Sequence, residues 1–325
     1  MRWPATLGAA FEGRSSLSAI PALARAAEGA GAGTLWMASH LFLRDPITSA
    51  LVALQATQTI RVALMAMSPF AMHPVHIAMA AAALDELHPG RVVLCLGSGA
   101  PADQEAAGIE AAHPLAAMRD AVLMCRGLLA GEAVRHEGKV FRLGGQRALA
   151  NGRAEVPIIL AASKPRMLKL AGEIADGVLL SAAASEPFVR QTLETLEEGA
   201  AGRDFARIGL VYAARVAPGE DRNAVLDPIR RRLAFILRGA HHAGNLAAAG
   251  TQLDQARLYA LTMAGDWDEA ARLIGDSVMA NHAAAGTPAE IAAGVAALRR
   301  AGLDEVVVAG KDDPEDLAAI LRDAA

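Results

Sequence analysis

Ala161-Ala162-Ser163-Lys164 joins a short apolar run, residues 156–161, to a helical pattern that opens at Pro165. Proline suits a first helical position because its missing N–H would be unpaired there anyway. The free amides of that helix start, the positive end of its dipole, and the charges of Lys164 and Arg166 together make a seat for a phosphate. Gly97-Ser98-Gly99 closes a second apolar run, residues 91–96. Its glycines let backbone approach a ligand closely, while Ser98, with Ser68 from the end of another run, supplies a hydroxyl. Glu12 follows the first apolar stretch of the chain, and Ser39 and His40 follow the next. His40 is the histidine placed to move a proton near neutral pH, and Glu12 is the carboxylate candidate for the same chemical step. This set could bind an aromatic, phosphorylated cofactor.

Other chemistries find no support. HExxH, GxSxG and clustered Asp/His spacings are absent, so neither metal hydrolysis nor serine chemistry is expected. His73 and His76 stand three apart, but no third ligand is near and Pro74 marks a helix start, so no metal is expected. His241 and His242 read as surface or lid residues. The net charge is −4 and the longest basic run, Arg230, Arg231 and Arg232, reads as a solvated helix face, which leaves no footprint for nucleic acid. The first residues carry Pro, Glu and Gly where a signal peptide needs an unbroken apolar stretch, and no window reaches the roughly 20 apolar residues of a membrane span. Two cysteines, Cys95 in an apolar run and Cys125 in a helical pattern, give no disulfide framework and fit the reducing cytoplasm.

The elements that must position these residues alternate from end to end. Strand patterns fall at 3–9, 34–38, 61–67, 91–96, 156–161, 177–181, 208–216 and 305–309, with helical patterns between them at 17–29, 46–57, 74–87, 115–130 and 187–198. Alternation of this kind means crossover connections and a parallel sheet. In the last unit Thr287 and Glu290 form a capping box, Pro288 takes the first helical position, Gly302 ends the helix, and a closing helix starts at Asp313. Eight strands are what a closed (β/α)8 barrel requires, and 325 residues suit one such domain. A doubly wound open sheet would carry GxGxxG at its first turn, and none is present. With 53% hydrophobic but only 4% aromatic residues, the core must be built from Ala, Leu and Val, which suits close packing of helices on a sheet. Insertions at 131–154 and 223–286 break the spacing. The second, almost wholly helical, is a candidate lid or substrate wall, because barrel active sites lie at the carboxyl ends of the strands.

MSPFAMHPVHIAMAAAALDELHPGRVVLCLGSGAP, residues 67–101, and VPIILAASKPRMLKLAGEIADGVLL, residues 156–180, resemble the two signatures of the luciferase-like flavin- and deazaflavin-dependent oxidoreductases. The resemblance runs from the first strand to the last and points to the branch containing methylenetetrahydromethanopterin reductase and deazaflavin-dependent glucose-6-phosphate dehydrogenase. It implies a TIM barrel that moves a hydride between a noncovalent cofactor, coenzyme F420 ahead of FMN, and a small organic substrate, in a cytoplasmic homodimer. It also implies a strand-three bulge with a cis bond at Met65–Ala66 bracing the central ring, with Ser68 beyond it facing an open pocket. The Gly-rich turn corresponds to Gly97, Ser98 and Gly99, the phosphate turn to Ala161, Ala162 and Ser163 with Lys164 beside them, and the strand-two histidine to His40. Ser39 stands at a cofactor-side position that is commonly Asp in the deazaflavin enzymes, Ala100 where the sugar-phosphate dehydrogenase has Glu, and Met72 where Arg usually precedes His73. These departures argue against glucose-6-phosphate and keep two alternatives open: an FMN monooxygenase using O2, and a barrel that binds a phosphorylated ligand without catalysis. Retained His40 argues against the latter; Ser39 and Ala100 argue for it.

Overall fold

Runs of Val, Leu, Ile and Ala without polar interruption are buried on both faces in a parallel sheet, and eight such runs close on themselves in this chain. In the computed structural model, which describes residues 3–325, they are Thr6–Phe11, Thr34–Ala38, Arg61–Met67, Val92–Leu96, Ile158–Ala161, Gly177–Leu180, Ala206–Arg215 and Glu305–Ala309, here strands one to eight. Neighbours pair in parallel in chain order, and strand eight returns to strand one with Thr6 opposite Glu305. The architecture is a (β/α)8 barrel with helices on its outside. Strand one begins three residues later than the apolar pattern suggests, because Trp3 is used as a plug: its Nε1 donates to the Glu305 carboxylate at 2.6 Å.

The barrel interior is graded. Its lower layer is large and polar: Glu305, with no exposed surface, also accepts from Trp36 Nε1 at 2.9 Å and Thr34 Oγ1 at 3.5 Å. Arg61 lies 3.9 Å from the same carboxylate and stacks 3.9 Å from the centre of the Trp3 ring. Burial pushes the Glu305 carboxyl up, against the indole donors and the Arg61 charge that pull it down. Above this plug the inward positions carry Ala63, Val93, Cys95, Ile159, Leu179, Ile208 and Val307, and above those come Ala10, Ala66, Gly97, Ala161 and Ala309. Alternate residues of the same strands face the helices and form the main core. Large side chains below and small ones above pack the barrel interior solidly, so that only its carboxyl end offers a surface.

Helix positions follow the expected signals. Thr287 and Glu290 make the capping box at the start of Pro288–Arg300, Gly302 takes a φ of +111°, and Asp313 caps Pro314–Ala324. The first insertion does not sit at the carboxyl ends of the strands. It connects helix Pro114–Leu129 to strand five and so starts from the opposite face of the barrel. It holds a hairpin, Arg135–Glu137 with Arg142–Gly144, anchored because buried Asp120 accepts from the amides of Val140 and Phe141 and pairs with His136 at 3.0 Å. Phe141 next to this hairpin reaches the upper rim, with ring centres 5.7 Å from His73 and 6.5 Å from Phe70. The second insertion follows strand seven. Its helices, from Arg222–Leu237 to Asp276–His282, enclose a second core around Leu226, Leu233, Leu246 and Leu258, and strand Ala284–Gly286 extends the upper end of strand seven.

Candidate functional site

Half of the barrel mouth is small and uncharged. The register between strands three and four shifts between Leu64 and Met67, and the Met65–Ala66 peptide bond inside that bulge is cis, as the aligned pattern implies. The Met65 carbonyl accepts from the Ser39 amide at 2.5 Å and the Met67 carbonyl from the Gly97 amide at 3.1 Å, so the bulge is tied to the strands on both sides. Gly97 has no room for a side chain: a Cβ there would lie 2.8 Å from that of Ala66 and 3.4 Å from that of Ala161. Three adjacent strands thus present a floor of methyl groups and bare backbone.

Beside this floor the Gly-rich turn is closed by a residue the sequence reading missed. Gln104, buried on the short helix Pro101–Ala106, donates through Nε2 to the Ser98 carbonyl at 2.6 Å, and the Ser68 hydroxyl donates to the same carbonyl at 3.2 Å. Ser68 is buried and turned to Ser98, so it does not face an open pocket as expected. Gly99 has a φ of +86°, and a Cβ there would meet Gln104 Nε2 at 2.6 Å. Its glycine is required by the turn and by Gln104, a different reason from the ligand clearance expected of it. Pro101 followed by Asp103 was the available signal for the helix that carries Gln104.

The turn expected to seat a phosphate stands one strand further on. Ala161 ends strand five, the Ala162 amide donates to the Leu179 carbonyl at 3.1 Å, and Lys164 is the N-cap of helix Pro165–Ile174, with extended backbone and no side-chain cap. Ser163, Lys164 and Arg166 are exposed there. An anion at this end would meet free amides, a hydroxyl and two cations.

The other half of the mouth is charged. Arg232, on helix Arg222–Leu237, donates through Nη1 to Glu12 Oε2, while the more exposed Arg14 stays 3.9 Å away. The Arg232 guanidinium lies 5.6 Å from the centre of the Tyr212 ring on strand seven. Burial, then the neighbouring Glu12 charge, pushes the Tyr212 hydroxyl above the ordinary phenol range, so it stays protonated. The basic run is therefore not a single solvated face: Arg231 stays at the surface, while Arg232 turns inward. Arg230 pairs with Asp276 at 3.3 Å, Arg231 with Asp227 at 2.7 Å and with Asp268, and Arg232 enters the site. Helical phase explains the division, since residues 230, 231 and 232 point about 100° apart.

His40 follows strand two on an exposed loop; its carbonyl accepts from the Leu43 amide at 3.3 Å, while its side chain has no hydrogen-bond partner among the described residues, so nothing fixes its ring. His73 caps helix Pro74–Leu87, accepting from the Val75 amide at 3.3 Å, and among the described residues no group of three metal-ligating side chains exists. His242 is buried rather than on the surface, and the His241 side chain lies outside the described residues. Cys95 and Cys125 are both buried as free thiols, and burial pushes the latter up to about 12. Among the described residues no helix is long and apolar enough to cross a membrane.

The family model for luciferase-like monooxygenases matches residues 3–305, from Trp3 to the first residue of strand eight. The chain belongs to the luciferase-like monooxygenase family. Among curated relatives of this family member is the 5,10-methylenetetrahydromethanopterin reductase of Archaeoglobus fulgidus, 29% identical over 301 residues that cover 90% of each chain. An F420-dependent glucose-6-phosphate dehydrogenase of Rhodococcus erythropolis is 29% identical over 185 residues, 54% of this chain and 55% of that one. In fold, the luciferase-like barrel superposes on the coenzyme F420-dependent tetrahydromethanopterin reductase of Methanopyrus kandleri with a TM-score of 0.87, at 23% identity, over 98% of this chain and 97% of the other.

Proposed function

We propose that this chain is an oxidoreductase that transfers a hydride between noncovalently bound coenzyme F420 and a small organic substrate. The observation that carries the reading is the division of the mouth into a flat, small, neutral half and a charged half. A flat polycyclic ring needs backbone and methyl groups to lie against, and Ala66, Gly97 and Ala161 offer them. Ser68 and Gln104 flank that floor with polar groups, and Ser163 and Lys164 at a helix start suit the phosphate that such a cofactor carries. These residues fit the group and would hold it. When bound, F420 supplies the two-electron hydride chemistry, and the protein supplies orientation and exclusion of competing reactions. Glu12 and His40, just after strands one and two, are our candidates for holding the substrate and moving its proton. The names of the relatives support a deazaflavin over FMN. The reading carries with it a cytoplasmic homodimer and no nucleic-acid partner, supported by the net charge of −4.

Fluorescence titration of the purified protein with F420 and with FMN tests the cofactor, and F420H2 oxidation by ketones and methylene-tetrahydropterins, with F420 reduction by secondary alcohols, tests the reaction. Saturable F420 binding, turnover and no O2 consumption are the expected result. Preferential FMN binding with O2 consumption would replace hydride transfer by monooxygenation, and binding without turnover across the panel would favour the non-catalytic barrel.

A further inference from the structure

Glu12 is held by groups from two other parts of the chain, the second insertion and strand seven. It opens the turn after strand one, and its carboxylate is engaged by a guanidinium 220 residues away in sequence. That guanidinium is itself well fixed. Helix Arg222–Leu237 buries Leu226, Ile229, Leu233 and Leu237 in the second core, so the Arg232 backbone cannot drift without unpacking the insertion. The Tyr212 ring supports the side chain from strand seven, within the roughly 6 Å over which a cation and an aromatic face attract, and its hydroxyl engages both Glu12 and Arg232. Gly310, just after strand eight, makes the space: with a φ of +87°, a Cβ there would lie 3.1 Å from the Tyr212 ring and 3.6 Å from Arg232 Cδ. Burial disfavours the charge on Arg232, and the Glu12 carboxylate, with Tyr212 and Asp312 nearby, more than offsets it. Asp312 is occupied by the Ser15 hydroxyl at 2.6 Å, and Lys311 by Asp316 at 3.4 Å. Arg14 is the other cation in reach of Glu12, but it is mostly exposed and does not touch it closely.

We infer that Arg232 and Tyr212 are positioning residues for Glu12, fixing one carboxylate oxygen so that the other is presented to the substrate half of the mouth. The inference rests on the oxidoreductase reading for the use of Glu12, but not for its geometry. A surface pair between long side chains would be mobile and weakly held. Here, a partly buried guanidinium forms the contact from a packed helix against an aromatic face. The insertion thereby does more than cover the barrel: it sets the orientation of an acidic group on the first strand.

Two measurements decide it. On the cofactor-free protein, carbodiimide and glycine ethyl ester label carboxyls, and mass spectrometry follows the peptide containing Glu12 with Asp316 as internal control. Arg232→Met should label at Glu12 at least tenfold faster than wild type with Asp316 unchanged, Arg232→Lys should return most of the way, and Tyr212→Phe should fall between. Equal Glu12 labelling in wild type and Arg232→Met, or a uniform rise at both sites, overturns the inference. With any substrate that turns over, Arg232→Met should lose at least tenfold in kcat with F420 affinity within twofold of wild type, and Arg232→Lys should recover kcat. A change confined to thermal stability, with kcat retained, marks the pair as a structural latch and overturns the positioning role. Failure of F420 binding in the wild type would instead overturn the oxidoreductase reading and leave the labelling result standing.

Discussion

Gly97→Ala adds one methyl group at the centre of the floor, and its effect can be worked from two distances. Carbon atoms in contact settle at about 3.5–4.0 Å. The new Cβ would lie 2.8 Å from Ala66 Cβ and 3.4 Å from Ala161 Cβ, so the floor must open by about 1 Å on the Ala66 side. Strand four cannot retreat freely, because the Gly97 amide is bonded to the Met67 carbonyl at 3.1 Å and strand five closes the other flank. Ala66 must yield, and it has no flexible side chain to swing aside. Overpacking of this kind costs about 1–3 kcal/mol of stability. Displacing the surface on which a rigid ring lies should cost F420 at least tenfold in affinity, about 1.4 kcal/mol. Thermal unfolding and fluorescence titration with F420 measure the two effects separately. The double variant Ala66→Gly/Gly97→Ala removes the overlap, and should recover more than half of both losses. Wild-type affinity in Gly97→Ala, or strict additivity in the double variant, would refute the tight floor, since groups in direct contact should not add.

Glu305→Ala strips the acceptor from two indoles and Arg61 at the opposite end of the barrel, and should cost about 3–5 kcal/mol by chemical denaturation, because it leaves a buried charge unpaired. F420 affinity of the folded fraction should stay within twofold of wild type, and a larger drop would mean that the floor and the plug are coupled. Glu290, hydrogen-bonded first by Arg222 and then by the Thr287 amide, is held down to about 2. Its folded value lies below its unfolded one, so the stability it contributes is present above about pH 4.5 and is lost as the pH falls toward 2. Both partners are nearly half exposed, so solvent screening keeps the effect under about 1 kcal/mol. Stability of wild type and Glu290→Gln should differ at pH 6 and converge by pH 2, and a difference independent of pH would contradict the assignment.

Much of the scaffold was legible because its signals are local. Thr34–Ala38 and Arg61–Met67 are apolar runs bounded by polar or glycine residues, Pro74 and Pro165 mark helix starts, and the Thr287 capping box is written in four consecutive positions. The neutral half of the mouth shares this property, since Ser68, Gly97 and Ala161 each end a readable strand. The charged half does not. Nothing near Arg232 in sequence distinguishes it from Arg230 and Arg231; its direction depends on how the whole insertion packs. Tyr212 was hidden in the same way, although its inward phase with Ile208 and Leu210 at the end of a strand was visible. The strands of the 135–144 hairpin are too short and polar to show a period, and they hold only because Asp120, on another element, collects their amides.

The indoles of Trp3 and Trp36, with Glu305 and Arg61, stopper the barrel from below, and Val93, Cys95, Ile159, Ile208 and Val307 fill its middle, so its mouth is closed from beneath. Solvent reaches the methyl floor only through the rim, by the route any occupant must take. An occupant seated at that rim is therefore its own seal: by entering it dries the space beneath, and the electrostatics there strengthen with no lid having moved. Whatever arrives last also blocks the way out for what lies under it, which imposes a last-in, first-out order on two molecules stacked in the mouth.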